Sequence, residues 1–234
     1  MTLVLTAHGS ADPRSAAVTH AVAGRIRRLR PWLDVRAAFL EQTGPDLGEV
    51  LRGLDGPAVV VPFLLASAFH ARIDIPAVIE ESRAVVDRAE VLGEDPALLT
   101  VLRQRLTETG VSPDDDDLGV LVVAVGSSHP AANARTATVA QHLSRGTRWA
   151  ATEVAFATGP YAGVAEAADR LRARGAERLV IAPWFLAHGR ITDRVASYAA
   201  AQSIPMSEPL GSHNLVAATV LDRYDAVTAV DVAA

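Results

Sequence analysis

The apolar stretch Val59-Val-Val-Pro-Phe-Leu-Leu-Ala66 has a similar counterpart in the second half of the chain. The second copy is Val180-Ile-Ala-Pro-Trp-Phe-Leu-Ala187. Both copies are uninterrupted apolar runs of the length of a strand, which is typical of strands buried on both faces of a parallel sheet. Parallel neighbours require a crossover connection, usually a helix, so the sequence predicts an α/β fold.

Further matches occur in the same order in the two halves. Leu3–Ala7 leads into His-Gly-Ser as Leu121–Val125 leads into Gly-Ser, Ala38–Pro45 is similar to Val154–Pro160, and Leu92-Gly93 corresponds to Leu210-Gly211. Matches at a nearly constant offset indicate one duplicated, domain-sized unit rather than a solenoid repeat. We therefore expect a fused pseudo-dimer, with an N-terminal lobe over residues 1–112 and a degenerate C-terminal lobe over residues 118–234.

Each lobe is expected to contain a four-stranded, mostly parallel sheet flanked by helices, with the functional site in the cleft between the lobes. In the first half the apolar pattern predicts four strands, at Leu3–Ala7, Val35–Leu40, Ala58–Leu65 and Glu90–Leu92. It predicts four helices that alternate with them, at Ser15–Leu29, Asp46–Leu54, Pro76–Arg88 and Pro96–Glu108. Gly, Pro and four successive aspartates at residues 110–117 predict a solvated surface linker between the lobes.

The amino-acid composition argues against several classes of function. The chain has 234 residues, a formal net charge of −5 and no cysteine. The acidic balance argues against nucleic-acid binding, which needs a basic face. Without cysteine the chain has no disulfide, thiolate metal site, cysteine-ligated cluster or cysteine nucleophile, so any metal must use nitrogen and oxygen ligands. The N-terminus lacks the pattern of a signal peptide and no apolar run is long enough to cross a bilayer, so we expect a soluble cytoplasmic protein with no membrane partner.

The duplication provides an internal control, since residues found in only one half are candidates for chemistry. His8 ends the first strand where the second half has Val125, Glu41 follows the second strand where the second half is two residues shorter, and His70 follows the third strand. The carboxyl ends of parallel strands are where α/β proteins bind ligands, so these three side chains are expected to converge. Two imidazoles and a carboxylate suit a divalent first-row metal, and they equally suit acid–base catalysis.

Three motifs at these positions resemble the class II chelatases of tetrapyrrole biosynthesis, the sirohydrochlorin chelatase family. They are Ala7-His-Gly-Ser-Ala-Asp-Pro-Arg14, Phe39-Leu-Glu41 and His70-Ala-Arg-Ile-Asp-Ile-Pro76. The resemblance extends over the whole chain if the second half is the degenerate copy found in fused long forms. It implies a chelatase-like fold and an enzyme that inserts a divalent metal, Fe²⁺ or Co²⁺, into sirohydrochlorin without ATP or an organic cofactor. His8, Glu41 and His70 would bind the metal and remove protons, and which histidine is the base stays open.

Further residues are candidates for substrate binding. Sirohydrochlorin carries carboxylates, so guanidinium groups near the strand ends could bind it; the candidates are Arg14, Arg72, Arg190 and Arg194, together with Ser10 and His188. Each also has an ordinary interpretation, as a surface arginine or, for Ser10, as part of the turn before the first helix. His129 aligns with Asp12 rather than His8, and we expect a capping or surface role for it.

Iron insertion for sirohaem is the function that we expect. The alternatives are cobalt insertion on the route to cobalamin and a metal or tetrapyrrole carrier without turnover. Phosphoryl transfer by a nucleophilic histidine is disfavoured, because Ala7 precedes His8 where such enzymes have arginine and because no Walker motif is present. Fusion provides within one chain the interface that a single-half protein obtains by dimerising, so we expect a monomer.

Overall fold

The computed structural model describes residues 1–67, 70–158 and 163–231, and for His70, Val230 and Asp231 it describes the backbone alone. The chain forms two compact units. The first contains Met1–Asp95 and the segment that begins at Ser212, and the second contains Pro96–Gly211. Both are α/β, as the sequence predicts.

The first unit has a four-stranded, fully parallel sheet in the order β2-β1-β3-β4. Its elements are β1 (Thr2–Ala7), α1 (Pro13–Leu29), β2 (Val35–Phe39), α2 (Leu47–Arg52), β3 (Ala58–Pro62), a π-helix (His70–Asp74), α3 (Ile75–Ser82), β4 (Val86–Arg88) and, from the end of the chain, α8 (Asn214–Asp231). The central strands β1 and β3 are almost wholly buried, which explains their unbroken apolar sequence.

The second unit has a three-stranded parallel sheet in the order β6-β5-β7. Its elements are α4 (Pro96–Glu108), β5 (Leu118–Ala124), α5 (Pro130–Leu143), β6 (Ala151–Phe156), α6 (Val164–Ala173), β7 (Arg178–Pro183) and α7 (Arg190–Ala201). Gly159 and Pro160 of the repeated sequence lie outside the described residues.

The prediction of a fourth strand in the second sheet is wrong for the part of the chain that the structure describes. The strand is reduced there to a single bridge between Ile181 and Met206. The preceding residue is Pro205, which has no N–H to donate to a neighbouring strand. In the first unit the corresponding residue is Asp87, which lies inside β4.

The end of the third helix also differs from the prediction. The expected helix Pro76–Arg88 ends at Ser82, because Arg83 adopts a left-handed conformation with φ of 57°. The Ser82 hydroxyl accepts a hydrogen bond from the N–H of Ala84 at 3.2 Å, which directs the chain out of the helix. The fourth strand is then Val86–Arg88 rather than Glu90–Leu92.

The compact units differ from the sequence repeats by an exchange of their last helices. Helix α8 of the second repeat packs against α1 and β3 of the first unit, whereas α4 of the first repeat packs against α5 and β7 of the second unit. Two corresponding hydrogen bonds mark the exchange. Arg223 Nε donates to the Val91 carbonyl at 3.0 Å, and Arg105 Nε donates to the Pro209 carbonyl at 3.2 Å.

The acidic run at residues 110–117 is more than the solvated linker that the sequence predicts. Arg178 donates two hydrogen bonds of 2.8 Å to the carboxylate of Asp117. Asp116 pairs with Arg148 at 3.0 Å. The run lies inside the second unit, where its carboxylates bind arginines, rather than between the two units. No helix in the described ranges is both long enough and apolar enough to cross a membrane.

Candidate active site

The first two candidate residues meet where neighbouring strands end. His8 directly follows β1, and Glu41 lies two residues beyond β2, which pairs with β1 in parallel. The backbone continues the ladder past the strands, because the N–H of Glu41 donates to the His8 carbonyl at 3.0 Å. The side chains then meet, with 2.9 Å between His8 Nε2 and Glu41 Oε1. The predicted convergence is thus present for this pair.

Gly9 allows the two loops to approach this closely. Its φ is +93°, and a Cβ atom at this position would lie only 1.7 Å from the carbonyl oxygen of Glu41. A side chain is excluded by both conformation and space, so the His-Gly sequence has a backbone cause. Thr43 joins the same loops, since its hydroxyl donates to the Ser10 carbonyl at 2.9 Å and accepts from the Ser10 N–H at 3.1 Å.

The His8–Glu41 pair is accessible to solvent. The side chains are 37% and 50% exposed, respectively. Gln42 has a φ of 57°, and its Nε2 donates to Glu41 Oε1 at 3.2 Å. An imidazole and a carboxylate in hydrogen-bond contact can share a proton or ligate one divalent ion through nitrogen and oxygen. Because both groups are exposed, a bulky substrate can reach them.

His70 lies after β3, the other neighbour of β1, and is the first residue of the π-helix His70–Asp74. Its side chain lies outside the described part of the structure, so the three-residue set remains a prediction. No group of three metal-ligating side chains occurs among the residues with described side chains. Short π-helical segments are rare and are found frequently at functional sites.

The remaining candidates of the first unit have local partners. Asp12 is the N-cap of α1, and Arg14 forms a paired contact with its carboxylate, including Nε to Oδ1 at 3.0 Å. Ser10 Oγ accepts from the Asp12 N–H at 3.1 Å, so the turn role weighed for Ser10 is present. Arg72 is exposed within the π-helix.

The candidates of the second unit are also on its surface. His188 Nε2 lies 2.7 Å from Glu208 Oε2, and the two side chains are 40% and 67% exposed. Arg190 is the exposed first residue of α7, and Arg194 is exposed one turn later. His129 occupies the N-cap position of α5 without a side-chain capping bond. A role of His188 or Arg190 in substrate binding stays a prediction.

The second unit repeats the backbone of this position without the histidine and glutamate side chains. The N–H of Thr158 donates to the Val125 carbonyl at 2.9 Å, as Glu41 does to His8. Gly126 has the same φ of +93° as Gly9. Thr158 therefore occupies the ladder position of Glu41, and the two-residue difference between the halves falls after this point. Scaffold residues recur, whereas the imidazole and the carboxylate do not.

A family model agrees with both halves of the chain. The CbiX model matches residues 2–109 and again residues 119–227. The chain belongs to the CbiX family. The two matches also agree with the duplication that the sequence indicates.

Curated relatives of this CbiX-family chain are chelatases. A sirohydrochlorin cobaltochelatase of Priestia megaterium is 29% identical over 69% of this chain and 56% of its own length. A sirohydrochlorin ferrochelatase of the same organism is 34% identical over 50% of this chain and 48% of its own length. The chain thus spans about half the length of the curated relatives that it matches.

The fold agrees with a solved structure in nearly its full length. SirB from Bacillus subtilis, solved with Fe³⁺, superimposes with a TM-score of 0.78 at 20% identity, and the match covers 96% of this chain and 94% of that one. At this identity the likeness shows the fold, and it confirms the chelatase-like α/β architecture.

One residue that the sequence reasoning missed contacts the π-helix. Arg88 Nη1 donates to the carbonyl of Ala71, next to His70. Arg88 belongs to no motif, and the sequence placed it at the end of a helix rather than in a strand. The comparison of halves could have identified it, because the second half has methionine at the corresponding position.

Proposed function

We propose that this CbiX-family chain is a sirohydrochlorin chelatase, which inserts a divalent metal into the tetrapyrrole without ATP. One observation supports this most strongly: an accessible histidine–glutamate pair, with 2.9 Å between Nε2 and Oε1, stands where β1 and β2 end. The second half retains the backbone of this position with Val125 and Thr158. The names of the relatives point to the same reaction.

The reaction makes two demands that such a pair meets. Two pyrrole N–H protons leave the ring as the metal enters, so a base must accept them, and imidazole titrates near neutral pH. The ion must also arrive on ligands that later release it, and nitrogen and oxygen donors bind first-row divalent ions reversibly enough for transfer. In this proposal His8 and Glu41 serve both steps and His70 completes the set.

For the metal we propose Fe²⁺, which would place the enzyme in sirohaem synthesis. Co²⁺ is the competing metal, because the cobaltochelatase and the ferrochelatase of Priestia megaterium are both related to this chain. Imidazole and carboxylate ligands accept either ion, so the donor set does not select between them. Rates measured at equal buffered free concentrations of the two ions test the choice; faster cobalt insertion would contradict iron.

The activity itself is tested by anaerobic absorbance spectroscopy of purified protein with sirohydrochlorin and Fe²⁺ or Co²⁺. The expected result is metal insertion well above the spontaneous rate, with no requirement for ATP. Stoichiometric binding of metal or tetrapyrrole at an unchanged insertion rate would instead identify a carrier. Light scattering tests the proposed monomer, and a stable dimer would contradict it.

A further inference from the structure

Arg88, the last residue of β4, is bonded to the segment that begins with His70. Its Nη1 donates to the backbone carbonyl of Ala71, the second residue of the π-helix. Ala71 is buried, with 3% of its surface exposed. The hydrogen bond therefore attaches the π-helical backbone to β4, the edge strand that pairs with β3.

The carbonyl of Ala71 has a specific need for this donor. In a π-helix a carbonyl accepts from the N–H five residues later. For Ala71 that residue is Pro76, which has no N–H. The guanidinium of Arg88 satisfies the carbonyl instead, through a charge-assisted bond that is stronger than a neutral one.

In the second unit, which lacks counterparts of His8 and Glu41, a methionine occupies the position of Arg88. Arg88 stands opposite Val60 in the sheet, and the next N–H, that of Ala89, donates to the Val60 carbonyl at 2.9 Å. In the second unit Met206 bridges to Ile181, and the N–H of Ser207 donates to the Ile181 carbonyl at 2.9 Å. Met206 thus occupies the position of Arg88, and a thioether has no hydrogen to donate.

The segment that follows the third strand also differs between the two units. After β7 the described chain passes to α7, which begins at Arg190 behind the N-cap Gly189, without a π-helical turn. The π-helix, its arginine donor and the histidine at its start therefore occur together in the first unit. Their counterparts in the second unit are an ordinary helix start and a methionine.

We infer that Arg88 is a positioning residue for metal insertion, which fixes the backbone from which His70 extends by holding the carbonyl of Ala71. The inference rests on the proposed function, in which His70 is a ligand or a base. In this inference Arg88 acts through the π-helical segment, by its bond to the Ala71 carbonyl.

The test replaces Arg88 by the residue of the other half, Arg88→Met, in the full chain. Arg88 is exposed, so the variant is expected to fold, with a melting temperature lowered slightly by the loss of this one hydrogen bond. Amide hydrogen exchange over residues 70–75 should accelerate about tenfold, as expected for the loss of one bond to a charged group. In the insertion assay kcat should fall by about tenfold while KM for sirohydrochlorin stays the same, because histidine placement rather than substrate binding is affected.

Two variants sharpen this experiment. Arg88→Lys keeps a charged donor and should restore slow exchange and most of kcat. Arg36→Met is the matched control, because Arg36 is also a strand arginine that donates to a backbone carbonyl, that of Gly53 at 3.2 Å. It should change neither measurement. If Arg88→Met aggregates, Arg88→Ala removes the same donor and is measured in its place.

The outcomes separate the inference from the function on which it rests. Unchanged exchange at residues 70–75 in Arg88→Met, or faster exchange with an unchanged kcat, would overturn the role of Arg88 while leaving the chelatase intact. A wild-type protein that inserts no metal would overturn the proposed function, and with it the catalytic meaning of the contact.

Discussion

His8 and Val125 occupy the same backbone position in the two halves of the chain. The His8 carbonyl accepts from Glu41 N–H at 3.0 Å, and the Val125 carbonyl accepts from Thr158 N–H at 2.9 Å. The glycine after each has a φ of +93°. Val125 and Thr158 are therefore side chains that the backbone tolerates at the positions of His8 and Glu41.

His8→Val uses that substitution as the first test. Insertion should fall by about 100-fold or more, because an acid–base or ligand group is lost, while the melting temperature stays close to that of the wild type. The insertion assay and a thermal melt measure the two effects. As a control, His129→Ala removes an exposed histidine of the second half and should remain fully active. A comparable loss of activity in His129→Ala would mean that the site lies in the second half.

Glu41→Gln tests the negative charge of Glu41 while keeping the size of the side chain. The amide keeps a hydrogen-bond acceptor for His8 but loses the negative charge, so metal binding weakens. We expect kcat to fall by about tenfold to 100-fold. Steady-state rates and Co²⁺ titration measure this. Wild-type values for both would remove Glu41 from the mechanism.

Removal of α8 tests the exchange of helices. Helix α8 contributes the buried side chains Val216, Val220 and Leu221 and the buried ring of Tyr224, and burying each of the three aliphatic side chains is worth about 1.5–3 kcal/mol. Their sum is comparable to the whole stability of a domain, about 5–15 kcal/mol. A chain that ends at Gly211 should therefore lose the folded first unit.

Circular dichroism and proteolysis of the first unit measure that loss. The control ends after Asp231 and keeps α8 whole, so it should melt like the full chain. If the chain without α8 kept a protease-resistant first unit with an unchanged melt, the exchanged helix would not be part of that unit's core.

Stability in acid tests the ion pair between Asp117, in the acidic run at residues 110–117, and Arg178. Hydrogen bonds from Arg178 hold the pKa of Asp117 below its usual range. The folded pKa is thus below the unfolded one of about 3.9, so the stabilisation is present above about pH 4 and is lost as the pH falls through the folded pKa. Asp117→Asn should lower the midpoint of urea unfolding at pH 7. The difference in midpoint between this variant and the wild type should become smaller in acid.

Asp114→Asn is the matched control for that experiment. Asp114 is exposed and belongs to the same acidic run, and its substitution should leave the midpoint unchanged at both pH values. An equal effect of the two substitutions would show that overall charge, rather than the bonds from Arg178, explains the result.

The sequence predicted the ends of β1 and β2 to within one residue because their causes are local, whereas β3 ends at Pro62, three residues before the predicted Leu65. Buried parallel strands require continuous apolar runs, and the loops after β1 and β5 require the left-handed residues Gly9 and Gly126. Comparison of the halves then separated His8 and Glu41 from scaffold. Helix α4 was also predicted with its observed bounds, Pro96–Glu108.

The features that escaped prediction depend on contacts between distant residues. Nothing near Arg223 shows that it bonds to Val91, 132 positions earlier, so the exchange of helices was not foreseen. Arg88 reaches Ala71 only because β4 replaces the expected helical continuation. Arg14 was considered for substrate carboxylates, yet its guanidinium pairs with Asp12 two residues away.

If the first half holds the metal, anomalous scattering from a crystal grown with Co²⁺ should locate the ion there. A peak is expected about 2.0–2.2 Å from His8 Nε2, with Glu41 and His70 as further ligands. A peak at His188 and Glu208 with none at His8 would contradict the claim and move the chemistry to the second half.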